Sequence, residues 1–266
     1  MKKFKPCKVD FIAAGAIILL VFVAYSFSVT IYNIFADPPE EQEVAEETEK
    51  DEDKGEDSFV IAMDPYLDYL TIVNQDHRYE FGGAYDKALQ DDLIYVSDCY
   101  GIPTLVEKAA YLAFGMLKQD LHQQGFEIEL FSAYRTEEDQ QWVLDHFGNL
   151  EGWSETNTVA EPGYSEHHTG LMIEYVVWWP DETTKAYNLT WYTETAERQA
   201  QNPEFKTIRK TLADYGFIER YPRGKEEITG VKCAPYELRF VGSSEVAHEI
   251  MDNDLCLEEY LEPKDE

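Results

Sequence analysis

The segment Pro162-Gly163-Tyr164-Ser165-Glu166-His167-His168-Thr169-Gly170-Leu171-Met172-Ile173-Glu174 holds the residue types best suited to chemistry in this chain. An imidazole, His167, and a carboxylate, Glu174, read as half of a zinc site, because both donor types bind zinc. A further carboxylate, Glu237, stands in Ala234-Pro235-Tyr236-Glu237. One His with two carboxylates is a permitted zinc set. Two anionic ligands, however, neutralise the dication, leave its bound water less acidic and make the metal a weaker electrophile. Harder ions such as manganese or calcium then compete better with zinc. Without a metal, Glu174 and Glu237 repel each other, so one takes a proton or pairs with an arginine. Arg135, in Ser132-Ala133-Tyr134-Arg135-Thr136, supplies a guanidinium able to grip a terminal carboxylate or polarise a peptide carbonyl. Taken alone it reads equally well as half of a structural salt bridge.

The elements that must position these groups are legible in part. Tyr69 to Asn74 reads as a short strand with β-branched residues. Leu105 to about Gln124 reads as a helix with a capping box at Thr104 and Glu107 and Gly125 as its stop. Its apolar stripe is Leu105, Ala109, Leu112, Ala113 and Met116. Ile128 to Phe131 alternates as a strand. Glu137 to about Phe147 forms a helix with Thr136 as N-cap. Phe205 to Tyr215 forms a helix ending at Gly216, Leu238 to Val241 a strand, and Glu245 to Met251 a last helix. Helices and strands that do not alternate regularly predict an α+β fold, a compact domain with a small antiparallel sheet and flanking helices.

The residues around the candidate site resemble a known family. Ser165, His167, Gly170 and Glu174 follow the S-x-H-x-x-G-x-x-x-D segment of the VanY-like D-alanyl-D-alanine carboxypeptidases, which trim bacterial peptidoglycan stem peptides. Ser132-Ala133-Tyr134-Arg135-Thr136 with Gln140 is similar to the family's S-x-Y-R-S…Q segment. Gly216-Phe217-Ile218-Glu219-Arg220-Tyr221-Pro222, Lys225 to Gly230, Arg239-Phe240-Val241-Gly242 and Leu257-Glu258-Glu259-Tyr260-Leu261 resemble further family motifs in the family's order. The resemblance covers about Leu70 to Leu261. It implies that Arg135, Gln140, Ser165 and Tyr221 contact substrate and that His167 and Glu174 descend from metal ligands. The family's ligand Asp is Glu174 here, longer by one methylene. His168 is expected to be a neighbour of the site and not a ligand, on the premise that adjacent residues of a strand face opposite ways.

The resemblance also marks departures. The family's later E-P-W-H supplies a catalytic Glu and a third zinc ligand, His. Here Ala234 stands at the general base and Glu237 at the third ligand, with Tyr236 in place of Trp. A methyl group accepts no proton, and loss of a positioned base costs on the order of 10² to 10⁴ in rate. Glu237 itself is the one remaining candidate base. The implied cofactor is zinc if the site holds a metal at all; the other expectation is no metal.

Composition bounds the rest. The formal net charge of -31 excludes a basic nucleic-acid footprint and docking of the folded part on anionic lipid. Residues 1–10 carry Lys2, Lys3, Lys5 and Lys8, and an uncharged run from Phe11 to Phe35 follows that is long enough to span a bilayer. The lysines predict a cytoplasmic N-terminus, a single-pass signal anchor over 11–35 and everything beyond it on the outer, cell-wall side of the membrane. Residues 36–57 read as an acidic, disordered linker, and 58–266 as the carboxypeptidase-like domain. Cys7 falls on the cytoplasmic side. Cys99, Cys233 and Cys256 fall outside, where at most one disulfide can form, and the sequence does not select the pair.

Three expectations follow: a membrane-anchored domain that binds stem peptides with little hydrolysis; an active metallo-D,D-carboxypeptidase with a His167/Glu174/Glu237 site; or an interaction domain without ligand.

Overall fold

A computed structural model describes residues 48–50, 59–149, 158–180, 187–188 and 203–262. The elements in chain order are β1 (Thr48–Lys50), β2 (Phe59–Ile61), α1 (Ala84–Asp92), β3 (Leu93–Ser97), β4 (Pro103–Glu107), α2 (Lys108–Gln123), β5 (Glu127–Ser132) and α3 (Glu137–Phe147). A 3-10 turn at Glu166–Thr169 leads into β6 (Met172–Pro180), β7 (Tyr187–Asn188), α4 (Pro203–Leu212), β8 (Phe217–Tyr221), α5 (Glu226–Thr229), β9 (Ala234–Phe240), α6 (Ser244–Asp252) and α7 (Leu257–Leu261). The fold is α+β with small antiparallel sheets and flanking helices, as the pattern of elements predicts.

The main sheet has five strands in the order β5-β6-β9-β8, with β7 paired to the far end of β6. All its pairings are antiparallel. β1 pairs with β2, and β3 with β4, as separate two-stranded sheets. Alternation along the strands gives the main sheet two faces. On one face the α2 stripe Ala110, Ala113, Phe114, Leu117 and Leu121 is buried, and Phe114 meets Phe217 edge-on at 6.5 Å. Phe217 in turn packs on Phe240 at 5.3 Å. The other face carries the candidate site.

The helices over Glu137–Phe147 and Ser244–Asp252 lie where the sequence predicts them. Thr136 caps α3 in a full capping box with Asp139. The helix that starts at Pro203 tightens into a 3-10 turn over Ala213–Tyr215, and Gly216 ends it in the left-handed region at φ 73. The helix expected from Leu105 starts later. Ile94↔Val106 and Tyr95↔Leu105 ladder pairing keeps the chain extended through Glu107, which becomes the N-cap and accepts from Ala110 N at 2.6 Å. Cross-strand pairing thus overrides the local capping signal. The stripe rotates accordingly, with Phe114, Leu117 and Leu121 buried while Leu112 and Met116 are only partly so. The strand expected over Tyr69 to Asn74 is an irregular segment. The carbonyls of Tyr69 and Thr71 accept from Arg239 Nη2 at 3.1 and 2.8 Å, so a side chain does what a neighbouring strand was expected to do.

The apolar run Phe11 to Phe35 lies outside the described residues. Among the described residues no helix is long and apolar enough to cross a membrane. The span read as linker, 36–57, includes β1; its other residues lie outside the described residues. Cys99, Cys233 and Cys256 are free thiols.

Candidate functional site

The site is a row across the sheet. Ser132 of β5 pairs with Glu174 of β6, and Glu174 pairs with Glu237 of β9. Directly paired residues point to the same face. An irregularity between Leu130 and Ser132 shifts the end of β5, and the chain then runs through Ala133 to Arg135 towards Glu174. His167 arrives from the other side on the Glu166–Thr169 turn, which Gly170 closes at φ 73.

A buried charge network fixes that turn. Glu166 is fully buried and accepts from Arg220 Nε at 2.8 Å and from Arg239 Nη1. Arg220 continues to Glu258 of α7 with bonds of 2.9 and 2.7 Å, and Glu258 accepts from Asn74 Nδ2 at 3.0 Å. Charges so deeply buried persist only when paired and hydrogen-bonded. The arginines of the Gly216–Pro222 and Arg239–Gly242 motifs are therefore scaffolding beneath the site. Sequence reasoning missed this role. Its signal was a cation set among apolar strand residues, as in Phe217-Ile218-Glu219-Arg220-Tyr221 and Leu238-Arg239-Phe240.

His167 is buried and donates from Nδ1 to the Ala133 carbonyl at 2.5 Å. A carbonyl only accepts, so the ring hydrogen is on Nδ1 and Nε2 keeps its lone pair. Nε2 lies 3.0 Å from Glu174 Oε1. Burial, and next the charge of Arg135, hold the imidazole below its ordinary pKa. The contact of a neutral Nε2 with a carboxylate oxygen calls for a proton or a cation between them. Glu174 keeps its charge: burial acts to raise its pKa, but Arg135 and His167 outweigh it and hold the carboxyl at about 2. Arg135 Nη2 donates to the same oxygen, Oε1, and to Ser132 Oγ at 3.0 Å, while Nη1 donates to Gln140 Oε1 at 3.4 Å. Gln140 donates to Ala160 O at 2.8 Å. Glu237 goes the other way. Burial, and then the adjacent charge of Glu174, push its carboxyl up to about 8.

His168 is a structural residue. Its Nδ1 donates to Arg135 O at 2.7 Å and its Nε2 accepts from Gly163 N at 3.0 Å, which ties the loop at Gly163 to the chain at Arg135. Its separation from His167 comes from a 3-10 turn, not from strand alternation as expected. Ser165 and Tyr221 are buried, and neither hydroxyl has a hydrogen-bond partner among the described residues. Ala234 is buried opposite Tyr221 at the start of β9 and presents only a methyl group.

The structure thus joins His167, Glu174, Arg135 and Gln140 into one hydrogen-bonded cluster, with Glu237 beside it on the sheet. Among the described residues no three His, Cys, Asp or Glu side chains converge closely enough to hold a metal ion. His167 and Glu174 suit a divalent ion as donors, but Glu237 does not join them, and a guanidinium already stands on the Glu174 oxygen. As arranged, the residues do not fit a three-ligand zinc centre.

Residues 103–243 match the family model of VanY, D-alanyl-D-alanine carboxypeptidase. The chain belongs to the VanY family. A D-alanyl-D-alanine carboxypeptidase of Enterococcus faecalis is 36% identical over 140 residues, covering 49% of this chain and 46% of its own. YodJ of Bacillus subtilis, named as a carboxypeptidase, is 33% identical over 158 residues, 59% of this chain and 54% of its own. The chain therefore spans about half the length of the curated relatives it matches. Among solved structures, the LdcB LD-carboxypeptidase is similar with a TM-score of 0.57 and 27% identity over 74% of this chain and 87% of that one. VanYB in complex with D-alanine-D-alanine gives 0.54 and 25% over 74% and 99%. A VanY-family structure solved with Zn(II) gives 0.52 and 26% over 73% and 98%. Zinc is thus a metal of this family, whereas in this domain the described side chains bring only His167 and Glu174 together as metal donors, with Arg135 on the same Glu174 oxygen.

Proposed function

We propose that this domain is directed at peptidoglycan stem peptides ending in D-Ala-D-Ala and holds them with hydrolysis impaired, tethered to the outer face of the cell membrane by the run Phe11 to Phe35. The observation that carries the reading is a polar cluster built around Arg135, next to a methyl group at Ala234 where the family's general base stands. Arg135 offers a fixed guanidinium for a peptide carboxylate or carbonyl. Ser165 and Tyr221 hold buried hydroxyls that a bound peptide can satisfy, which recovers the cost of leaving them unpaired. The complex of VanYB with D-alanine-D-alanine supports the ligand class.

The test is titration of the purified full-length chain with a D-Ala-D-Ala-ended pentapeptide, together with a D-alanine release assay. Saturable binding that Arg135→Ala weakens by about tenfold or more, without D-alanine release, is the expected outcome. Because LdcB is an LD-carboxypeptidase, a peptide ending in an L,D bond belongs in the same panel. Localisation is read from fractionation of cells and from protease access to the domain in spheroplasts. Recovery of the intact chain in the soluble fraction removes the tether from the proposal.

One observation favours a second reading, an active metallo-D,D-carboxypeptidase: the His167 tautomer leaves Nε2 aimed at Glu174, as a metal ligand requires. That reading demands D-alanine release that stops on chelation and returns with metal.

A further inference from the structure

A cavity of about 140 Å³ lies behind the candidate site, where α4 meets β6, β8 and β9. Side chains alternate between the two faces of a sheet. Tyr175 follows Glu174 on β6, and Glu219 pairs with Leu238, the neighbour of Glu237, so both turn to the face away from the site. Tyr175, Phe205, Pro222 and Pro235 give the cavity apolar walls, with the Tyr175 and Phe205 rings 6.3 Å apart. Phe205, Arg209 and Leu212 recur at helical spacing, so one face of α4 lines it. Glu219 supplies a carboxylate that is only 6% exposed. Its Oε2 accepts from Arg209 Nε at 2.8 Å, and among the described residues its Oε1 accepts no hydrogen bond. A buried carboxylate oxygen without a donor is costly. Burial pushes the Glu219 carboxyl above its ordinary pKa although Arg209 opposes the shift, and a second cation would hold it ionised. Arg209 Nη2 donates to Asp254 at 3.3 Å, and its Nη1 has no hydrogen-bond partner among the described residues. Lys206 also lines the cavity and is exposed at its mouth.

We infer that this cavity binds a small free α-amino acid, with its ammonium on Glu219 and its carboxylate towards Arg209 and Lys206. Size and polarity select that class. A cavity of about 150 Å³ takes benzene, and alanine has the same number of non-hydrogen atoms. An acceptor, Glu219 Oε1, and donors on Arg209 and Lys206 share one cavity, which is the complement of a zwitterion. The rings of Tyr175 and Phe205 offer faces to an ammonium or a methyl group. Glu219 and Arg209 hold each other in place before any amino acid arrives, so binding adds little ordering cost. A purely structural ion pair accounts for neither the second carboxylate oxygen nor the cavity that it lines. The walls at Tyr175 and Pro235 are the reverse side of the strands that carry Glu174 and Glu237, so an occupant touches the scaffold of the peptide cluster without entering it. Amino-acid binding there stands or falls independently of peptide binding at Arg135.

The experiment is calorimetric titration of the full-length chain with D-alanine and with L-alanine, with the melting temperature followed in parallel. Saturable binding of at least one enantiomer, with a Kd of about 1 mM or tighter, is the expected result. Lactate replaces the ammonium by a hydroxyl, and ethylamine lacks the carboxylate; each should bind about tenfold or more weakly than alanine. Glu219→Gln keeps the shape and removes the charge, and should weaken alanine binding by about tenfold or more. Lys206→Glu reverses a charge at an exposed position, where folding is not at stake, and should weaken it by about threefold. If Glu219→Gln does not fold, Lys206→Glu and the two half-molecules decide. No saturation by either enantiomer up to about 10 mM overturns the inference. Lactate binding as tightly as alanine overturns it too, because the ammonium then plays no part. Binding that is lost in Arg135→Ala and kept in Glu219→Gln puts the amino acid in the peptide cluster and likewise overturns it.

Discussion

Glu174 lies directly opposite Glu237 in the β6–β9 pairing, and the two carboxyl groups respond to this closeness in opposite directions. Burial disfavours charge on both. Arg135 and His167 compensate it at Glu174, which stays ionised, whereas at Glu237 the charge of Glu174 adds to burial and favours the proton. Environments that push paired carboxyl groups apart separate an anion from a proton donor. Here the anion is bound to a guanidinium, and the proton donor is Glu237, the residue that the sequence resemblance aligns with the family's third ligand.

Restoring the family's groups at three positions should restore metal binding. Ala234→Glu, Glu237→His and Glu174→Asp together return a base, a third ligand and a shorter second ligand. The triple variant should take up about one zinc per chain, the complement of a three-ligand catalytic site. It should release D-alanine faster than the same variant with Ala234 retained, by on the order of 10² to 10⁴. A folded triple variant without metal would mean that these positions are wrongly assigned. Metal analysis and a D-alanine assay decide it.

Stability should fall as pH rises between about 5 and 8, in part through Glu107. This residue is fully buried, accepts from Tyr69 Oη at 2.9 Å and from Ala110 N, and has its carboxyl pushed up to about 8 by burial and then by Asp92. The folded state holds a proton there that the unfolded chain releases at the ordinary carboxylate pKa. Folding therefore binds a proton across that window, and the stabilisation is lost with rising pH at up to about 1.4 kcal/mol per unit. Glu107→Gln keeps an acceptor for Ala110 N and cannot ionise. Its unfolding free energy in urea should gain on wild type between pH 5 and 8; parallel pH profiles would count against this account.

Glu166→Ala should destabilise the domain by about 3 to 5 kcal/mol, because it strands Arg220 and Arg239 as buried cations without their shared partner. Chemical denaturation reads the loss directly. Loss of the His167 ring position should accompany it, since Glu166 is the anchor of the turn that bears His167.

Gly170→Ala should cost about 1 to 2 kcal/mol through its left-handed backbone alone. A further penalty arises because a Cβ there would meet Leu89 Cδ1 at 2.7 Å. A smaller residue at 89, as in Leu89→Ala, should relieve only the second part. Thermal denaturation of the single and double variants separates the two.

The motif order made the family legible in the sequence, and capping chemistry marked α3 cleanly, because Thr136 and Asp139 interact locally. The start of α2 was not legible in the same way. Thr104 and Glu107 have the spacing of a capping box, and only pairing with β3, remote from that local pattern, shows that the chain is still extended there. Tyr69 to Asn74 looked like a strand for its β-branched residues, yet its carbonyls are claimed by Arg239, far along the chain. The candidate residues His167, Glu174 and Arg135 were visible by type. Their sharing of a single carboxylate oxygen was not, because it depends on strand register and on the irregularity in β5.

The aim of His167 is set by the main-chain carbonyl of Ala133. Every amino acid supplies that carbonyl, so substitution at position 133 leaves the acceptor in place as long as the backbone path is kept. Mutational drift at 174, 234 and 237 can alter what the imidazole meets without erasing where it points. The orientation thus depends on the path of the backbone, so new side chains at 174, 234 and 237 change the chemistry offered to the imidazole without a new scaffold.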